Sequence, residues 1–260
     1  MSDDIVILGI DSGVASITLN RGAVHNAFDE VMIARLSEVF DELSERHDVI
    51  AVVLRGAGKS FSAGADLNWM RRAATFGLEQ NKADALGLAS MLDKLNRLPK
   101  LTIACVQGAA MGGGIGLVSC CDIVIADNTA KFALSEVKLG LIPATISPYV
   151  LAAIGARQAR RYFQTGERFG VEQAHQIGLV HIVAEHQEDM SAQLQHILKE
   201  AQVNGPMAMA DAKELCLDFA GKAINVELIN ESASRIAATR AGEEAKEGLS
   251  AFLEKRKAEF

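Results

Sequence analysis

Apolar residues recur along the chain with two periods, one typical of β-strands and one typical of α-helices. Residues 5–10 and 14–20 are β-rich runs joined by Asp11-Ser12-Gly13, which predicts a hairpin. Apolar side chains from Met32 to Leu43 recur every three or four positions, which predicts a helix with one buried face. Other short runs are apolar or β-rich, as expected of further strands: 49–54, 101–106, 122–126, 131–134 and 180–183. Further helical patterns cover about 81–97 and 147–164.

The order of these elements predicts the fold class. Strands and helices alternate over the first ~190 residues, and from Ser191 onward the pattern is helical. We therefore expect an α/β core over residues 1–195 and a helical C-terminal region over residues 196–260.

Composition and charge limit the possible functions. The chain has 260 residues, 49% of them apolar, and a formal net charge of −7, which disfavours non-specific nucleic-acid binding. No leader-like or membrane-spanning stretch is evident, and the four cysteines form no C-x-x-C pair. We expect a cytoplasmic protein with free thiols, no metal site, and no nucleic-acid or membrane partner.

Two loops of small residues are the candidate chemical feature. Residues 61–67 and 107–114 each follow a buried strand, and the second loop contains Gly112-Gly113-Gly114. Small residues let a ligand approach the backbone, so main-chain N–H groups could form an oxyanion hole. Tight packing of strand against helix explains the glycines equally well, and these residues alone do not decide between the two interpretations.

Five segments together resemble the enoyl-CoA hydratase/isomerase (crotonase) superfamily. They occur in order along the chain: Phe61–Leu67, Gln107–Gly114, Cys121–Ile123, Phe132–Glu136 and Gly140–Pro143. The N-terminal and C-terminal segments also resemble that superfamily. The resemblance implies a spiral of ββα units with a helical C-terminal trimerisation region, and a homotrimer or a dimer of trimers.

The resemblance also implies the roles of particular residues. The N–H groups of Ala65 and Gly113 would bind the thioester oxygen of an acyl-CoA, and Glu136 would be the catalytic acid and base. Substrate-binding positions would be Ala63, Ala65, Asp66, Leu67, Gly113, Phe252 and Lys255, the last two serving a neighbouring subunit. Positive charge at residues 255–257 suits a phosphate-rich ligand, although a solvated helix face is the alternative. Coenzyme A arrives as part of the substrate, so no separate cofactor is implied.

The reaction type is less clearly implied, because one catalytic position differs. Hydratases of the superfamily use two glutamates, and the position of the first is Gly116 here. A single glutamate is the arrangement of its Δ3,Δ2-enoyl-CoA isomerases. Residues 134–148 and 119–122 resemble bacterial methylglutaconyl-CoA and γ-carboxygeranoyl-CoA hydratases. We therefore expect a 2-enoyl-CoA hydratase acting on 3-methylglutaconyl-CoA, with an isomerase or another CoA-thioester enzyme, or a non-enzymatic binding module, as alternatives.

Overall fold

The computed structural model describes residues 4–260, an α/β arrangement of short strands and amphipathic helices. The strands are β1 Val6–Asp11, β2 Val14–Leu19, β3 Ala51–Gly56, β4 Leu101–Val106, β5 Ala109–Met111, β6 Ile123–Asp127, β7 Lys131–Ala133, β8 Arg168–Gly170 and β9 Ile182–Ala184. The helices are α1 Glu30–Ser44, α2 Leu67–Ala73, α3 Leu78–Arg97, α4 Gly113–Cys120, α5 Ser147–Thr165, α6 Val171–Gln176, α7 Gln187–Ala201, α8 Pro206–Phe219, α9 Val226–Ala241 and α10 Glu243–Glu254.

Two sheets form the framework. The larger sheet has the strand order β1-β2-β3-β4-β6-β9, with β1 antiparallel to β2 and the remaining neighbours parallel. The smaller sheet joins β5, β7 and β8. Parallel neighbours need crossover connections, and helices α1, α3 and α4 lie within those connections. The parallel strands of the larger sheet therefore end at one edge, where the two glycine-containing loops begin.

Apolar side chains cover both faces of the larger sheet. One face packs against α1, α3, α4 and α5 in the main core, where the predicted α1 face from Met32 to Leu43 is buried. The other face packs against α7 through Met190, Leu194 and Leu198. Residue 195 lies inside α7, and the division into domains 1–195 and 196–260 stays a prediction.

The C-terminal region is helical, as the sequence predicts. Helices α8, α9 and α10 and the connection between the first two expose many large apolar side chains: Met207, Leu215, Leu217, Ile224, Val226, Ile229, Ile236, Leu249, Phe252 and Leu253. None of the helices within residues 4–260 combines the length and apolar character needed to span a bilayer. Residues 1–3, part of the N-terminal segment considered above, lie outside the described residues.

Several short elements differ from the sequence prediction. The structure adds helix α2, strands β5 and β8, and helix α6, each only three to seven residues long. Segments of this length carry too few positions for a period to be detected. The predicted helix 147–164 is interrupted at Gly155, whose φ of 72° and ψ of 155° break the helical path.

Candidate active site

The two glycine-containing loops run side by side and in the same direction. Ser62 and Ala110 form a parallel bridge. The Ser62 N–H donates to Ala109 O at 2.9 Å, and the Met111 N–H donates to Ser62 O at 2.9 Å. Ala65 and Gly113 each lie three residues beyond this bridge, so the pairing carries both into the same region.

The backbone around Ala65 is fixed by hydrogen bonds on both sides. The Phe28 N–H donates to Gly64 O at 2.7 Å, and the Asp66 N–H donates to Phe28 O at 2.7 Å. These bonds form the parallel bridge between Phe28 and Ala65. Within residues 4–260 the Ala65 N–H has no hydrogen-bond acceptor, which leaves it available to a ligand.

Gly113 offers a second N–H group at the start of a helix. The neighbouring Gly112 N–H donates to Ala133 O at 2.9 Å, whereas the Gly113 N–H finds no acceptor in the described part of the chain. Gly113 is the first residue of α4, where N–H groups point out of the helix and the dipole favours negative charge.

The three consecutive glycines make space for three different neighbours. A Cβ on Gly112 would lie 3.0 Å from Glu136 Oε1, and one on Gly113 would lie 3.0 Å from the ring of Phe28. A Cβ on Gly114 would lie 2.8 Å from Ser62 O. Tight packing and backbone access therefore coexist here, and Gly112 also needs its positive φ of 48°.

Glu136 brings a carboxyl group to the same place. It begins the short 3₁₀ turn Glu136–Leu139, just after β7, and its Oε1 lies over Gly112. Burial raises the pKa of Glu136, while its own backbone N–H lowers it, and no charged side chain is among the causes. Its buried Oε2 atom has no hydrogen-bond partner within the described residues. Burial thus favours the protonated form of this carboxyl, which holds its proton to higher pH than an exposed glutamate does.

Gly116 faces apolar side chains and leaves no room for a second carboxylate. A Cβ at this position would lie 2.5 Å from Ile146 Cγ2 and 3.5 Å from Leu92 Cδ2. Ile146 precedes α5 and Leu92 lies on α3, and both are buried. Packing against Ile146 therefore disfavours any side chain at position 116.

Comparison with known proteins decides the family. A family model described as "Enoyl-CoA hydratase/isomerase" matches residues 9–260. This chain belongs to that family. Its structure is similar to that of an enoyl-CoA hydratase from Shewanella pealeana, with 44% identity, a TM-score of 0.96, and coverage of 99% of this chain and 96% of that one.

Two further relatives extend the match. Pseudomonas aeruginosa AtuE is 35% identical, with a TM-score of 0.94 and 98% of each chain covered. A short-chain-enoyl-CoA hydratase from Clostridium acetobutylicum is 34% identical over 256 residues, covering 98% of this chain and 96% of the relative. The expected crotonase-like fold and its helical C-terminal region are confirmed, and the chain is a CoA-thioester hydratase/isomerase enzyme by family.

Some of the predicted substrate-binding residues in loop 63–67 already have partners within the chain. The Ala63 N–H donates to His25 O at 2.9 Å. Asp66 caps α2 through Oδ1 and binds Arg21 through Oδ2, so its carboxylate is already engaged. Leu67 is 69% exposed. Ala65 and Leu67 are both exposed, and neither N–H has an acceptor among the described residues; Ala65 is the one that lies between the two bonds to Phe28.

The predicted C-terminal positions lie far along the chain from the Ala65 and Gly113 loops. Phe252 is 79% exposed and Lys255 ends α10 with a left-handed φ of 57°. Helix α10 packs mainly against α9. Arg256 is bound to Glu247 and Glu254, so it does not add free positive charge at residues 255–257.

Sequence reasoning missed the residues that shape the loop from outside it. Asn26 is fully buried, and its side chain donates to Ala57 O at 2.9 Å and Ser60 O at 2.8 Å. Ile146 closes the space over Gly116. Asn26 lies in the N-terminal segment that resembles the superfamily, but nothing in the local pattern indicates that Ile146 contacts Gly116.

Proposed function

We propose that this enzyme adds water across the 2,3 double bond of an enoyl-CoA thioester. The observation that carries the proposal is the shared location of two unengaged N–H groups, at Ala65 and Gly113, and the carboxyl of Glu136. The N–H groups would hold the thioester oxygen as it gains enolate charge, each worth about 3–4 kcal/mol. Glu136 would take a proton from water and deliver a proton to the α-carbon.

We propose 3-methylglutaconyl-CoA as the substrate. The proposal rests on the resemblance of residues 134–148 and 119–122 to hydratases of that class. With no second carboxylate at Gly116, the substrate's own carboxylate could help to orient the water. No cofactor beyond the coenzyme A of the substrate is needed for this chemistry.

A carboxylate on the substrate needs a cation, and helix α2 offers one. Arg71 lies on α2, which begins two residues after Ala65, and its Nη1 donates to the neutral Asn68 side chain at 2.7 Å. The neighbouring Arg72 is paired with Glu30. Arg71→Gln should raise the KM for methylglutaconyl-CoA but not for crotonyl-CoA, and Arg72→Gln serves as the matched control.

The second candidate is a Δ3,Δ2-enoyl-CoA isomerase. It is favoured by the burial of Glu136 without a charged side chain among the causes of its pKa shift, because one carboxyl suffices to move a proton between two carbons. In that reaction Glu136 would remove a proton from one carbon and return it to another, with no water involved.

One panel of substrates separates these candidates. Purified enzyme is given crotonyl-, methylglutaconyl- and carboxygeranoyl-CoA, and a 3-enoyl-CoA, while the absorbance of the conjugated thioester is followed. Loss of absorbance, fastest with methylglutaconyl-CoA, is the expected result. A gain with the 3-enoyl-CoA alone would replace hydration by isomerisation, and no change with any thioester despite binding would contradict both.

We also propose a homotrimer or a dimer of trimers. The exposed apolar side chains of α8, α9 and α10 support a buried subunit contact. In such an assembly Phe252 and Lys255 would serve a neighbouring subunit's substrate. Sedimentation equilibrium measures the assembly, and a monomer at micromolar concentration would contradict it.

A further inference from the structure

Arg21 joins two carboxylates next to the Ala65 loop. Its Nη2 lies 2.9 Å from Asp66 Oδ2, and its Nη1 lies 3.0 Å from Asp29 Oδ2. The Nη1 group also donates to Ala27 O at 2.7 Å. Only 19% of the Arg21 side chain is exposed, so these contacts are largely shielded from water.

Each aspartate divides its two oxygens between a helix and Arg21. Asp29 Oδ1 accepts from the Met32 N–H at 2.9 Å, which caps α1. Asp66 Oδ1 accepts from the Asn68 N–H at 2.8 Å, which caps α2. Because the second oxygen of each carboxylate binds the same guanidinium, Arg21 fixes the starts of both helices relative to each other.

The same contacts fix the two ends of the bridge that contains Ala65. On one side Arg21 holds Ala27 O, the carbonyl just before Phe28. On the other side it holds the side chain of Asp66, whose N–H donates to Phe28 O. Ala65 lies between the two residues that bond to Phe28, so a shift of Asp66 would turn the Ala65 N–H.

Arg21 is itself held by the buried Asn26. The Arg21 N–H donates to Asn26 Oδ1 at 2.9 Å, and the Asn26 N–H donates to Arg21 O at 3.0 Å. Asn26 has a left-handed φ of 53°, a conformation that asparagine tolerates better than most residues. The guanidinium therefore starts from a fixed backbone position.

We propose that Arg21 is a positioning residue that directs the Ala65 N–H toward the thioester oxygen. This inference rests on the proposed function, since it requires Ala65 to be a thioester donor. Arginine suits the role because its planar fork binds two carboxylates at once, which a lysine ammonium does less well. An arginine that merely stabilised the fold would leave the polarisation of a bound thioester unchanged.

The test measures that polarisation directly. Crotonyl-CoA, isotopically labelled at the thioester carbonyl, is bound to Glu136→Gln enzyme so that turnover is slow. Infrared difference spectra then report the carbonyl stretch, which moves to lower frequency when donors engage the oxygen. Arg21→Met, Arg21→Lys and the exposed control Arg35→Met are made in the same background.

The proposal predicts a graded result. Arg21→Met should lose a large part of the carbonyl shift, Arg21→Lys should keep an intermediate part, and Arg35→Met should keep all of it. In enzyme that retains Glu136, Arg21→Met should lower kcat by up to about a hundredfold, which approaches the effect of losing one N–H donor. KM should change much less.

Other outcomes overturn the proposal or its premise separately. A full shift in a folded Arg21→Met protein would show that Arg21 does not direct the donor. Absence of any shift in the Glu136→Gln parent would instead remove the proposed thioester site. If Arg21→Met does not fold, Asp66→Asn against Asp29→Asn decides, because only Asp66 adjoins Ala65, and equal shifts in the two variants would contradict the proposal.

Discussion

The carboxyl of Glu136 lies directly against the position that a side chain on Gly112 would take. Glu136 Oε1 is 3.0 Å from the position of a Gly112 Cβ, and Gly112 precedes the proposed donor Gly113. The contact joins the 3₁₀ turn after β7 to the start of α4, two segments separated in the chain by strands β6 and β7. A buried carboxyl group and the start of a helix are thereby placed side by side.

Removing the acid of Glu136 should abolish most turnover. Glu136→Gln keeps the shape of the side chain but cannot exchange a proton, so we expect kcat to fall by about 10²–10⁴-fold. Binding of the thioester should change little, because the proposed N–H donors are intact. Steady-state kinetics and equilibrium binding measure this, with the exposed Glu172→Gln on α6 as control. Retention of substantial hydration by Glu136→Gln would remove its assigned role.

The raised pKa of Glu136 predicts how activity and stability change with pH. As a base, Glu136 must be ionised, so kcat/KM should fall with decreasing pH at a pKa above the ordinary value of 4.5. In the folded state Glu136 holds its proton to higher pH than in the unfolded chain. The contribution of Glu136 to the unfolding free energy should therefore decrease as pH rises from its pKa in the unfolded chain through its higher pKa in the folded state.

The isosteric variant isolates the stability effect. Glu136→Gln mimics the neutral acid, so its unfolding free energy should exceed that of the parent enzyme at about pH 7. The difference should vanish in acid, below the pKa values of Glu136 in both the folded and the unfolded state. Urea unfolding of both proteins across pH measures the difference. A variant that is less stable than the parent at neutral pH would contradict the burial of an isolated carboxyl.

The contact between Gly116 and Ile146 predicts a coupled pair of mutations. Gly116→Ala adds a Cβ 2.5 Å from Ile146 Cγ2, and overpacking of this kind costs about 1–3 kcal/mol. Ile146→Ala removes the opposing methyl group, so the double variant should be more stable than the sum of the two single effects predicts. Urea unfolding measures all four proteins.

Another helical glycine provides the control for that cycle. Gly87 on α3 has nothing within 4 Å of a Cβ position, so Gly87→Ala should leave stability unchanged or raise it by up to about 1 kcal/mol. Additive effects of Gly116→Ala and Ile146→Ala would show that the two side chains do not meet.

Lys255 should affect binding of the coenzyme A phosphates only. Lys255→Asn removes the charge while tolerating the left-handed φ of 57°, so we expect a higher KM for crotonyl-CoA. The KM for crotonyl-pantetheine, which lacks the nucleotide phosphates, should not change. The exposed Lys199→Asn on α7 serves as control. Equal effects on both substrates would argue against phosphate binding by Lys255.

The sequence predicts the long elements and the loops of this fold better than the contacts between them. The α1 stripe from Met32 to Leu43 and the apolar run of β4 are readable because burial imposes a period or a continuous apolar stretch. The position of Ile146 over Gly116 depends on α5 folding back across α4, which local sequence does not encode. Likewise, Arg21 reaches Asp66 across 45 residues.

The candidate site residues are predicted mainly by resemblance to a family. The residue pattern alone does not decide between an oxyanion hole and tight packing. Glycines at 112–114 serve both packing and backbone access, which explains why the two interpretations could not be separated from sequence. The pKa rise of Glu136 follows from burial that only the tertiary structure supplies. Of the two helices that follow Ala65, the sequence pattern does not predict α2, and it predicts α3 from about residue 81 rather than from Leu78.

A crystal structure of the Glu136→Gln enzyme with a bound 2-enoyl-CoA tests the central claim most directly. We predict the thioester oxygen within about 2.7–3.1 Å of the backbone nitrogens of both Ala65 and Gly113, with the residue 136 side chain facing the reacting carbons. A thioester oxygen that contacts neither nitrogen, or a residue 136 side chain directed away from those carbons, would contradict the account.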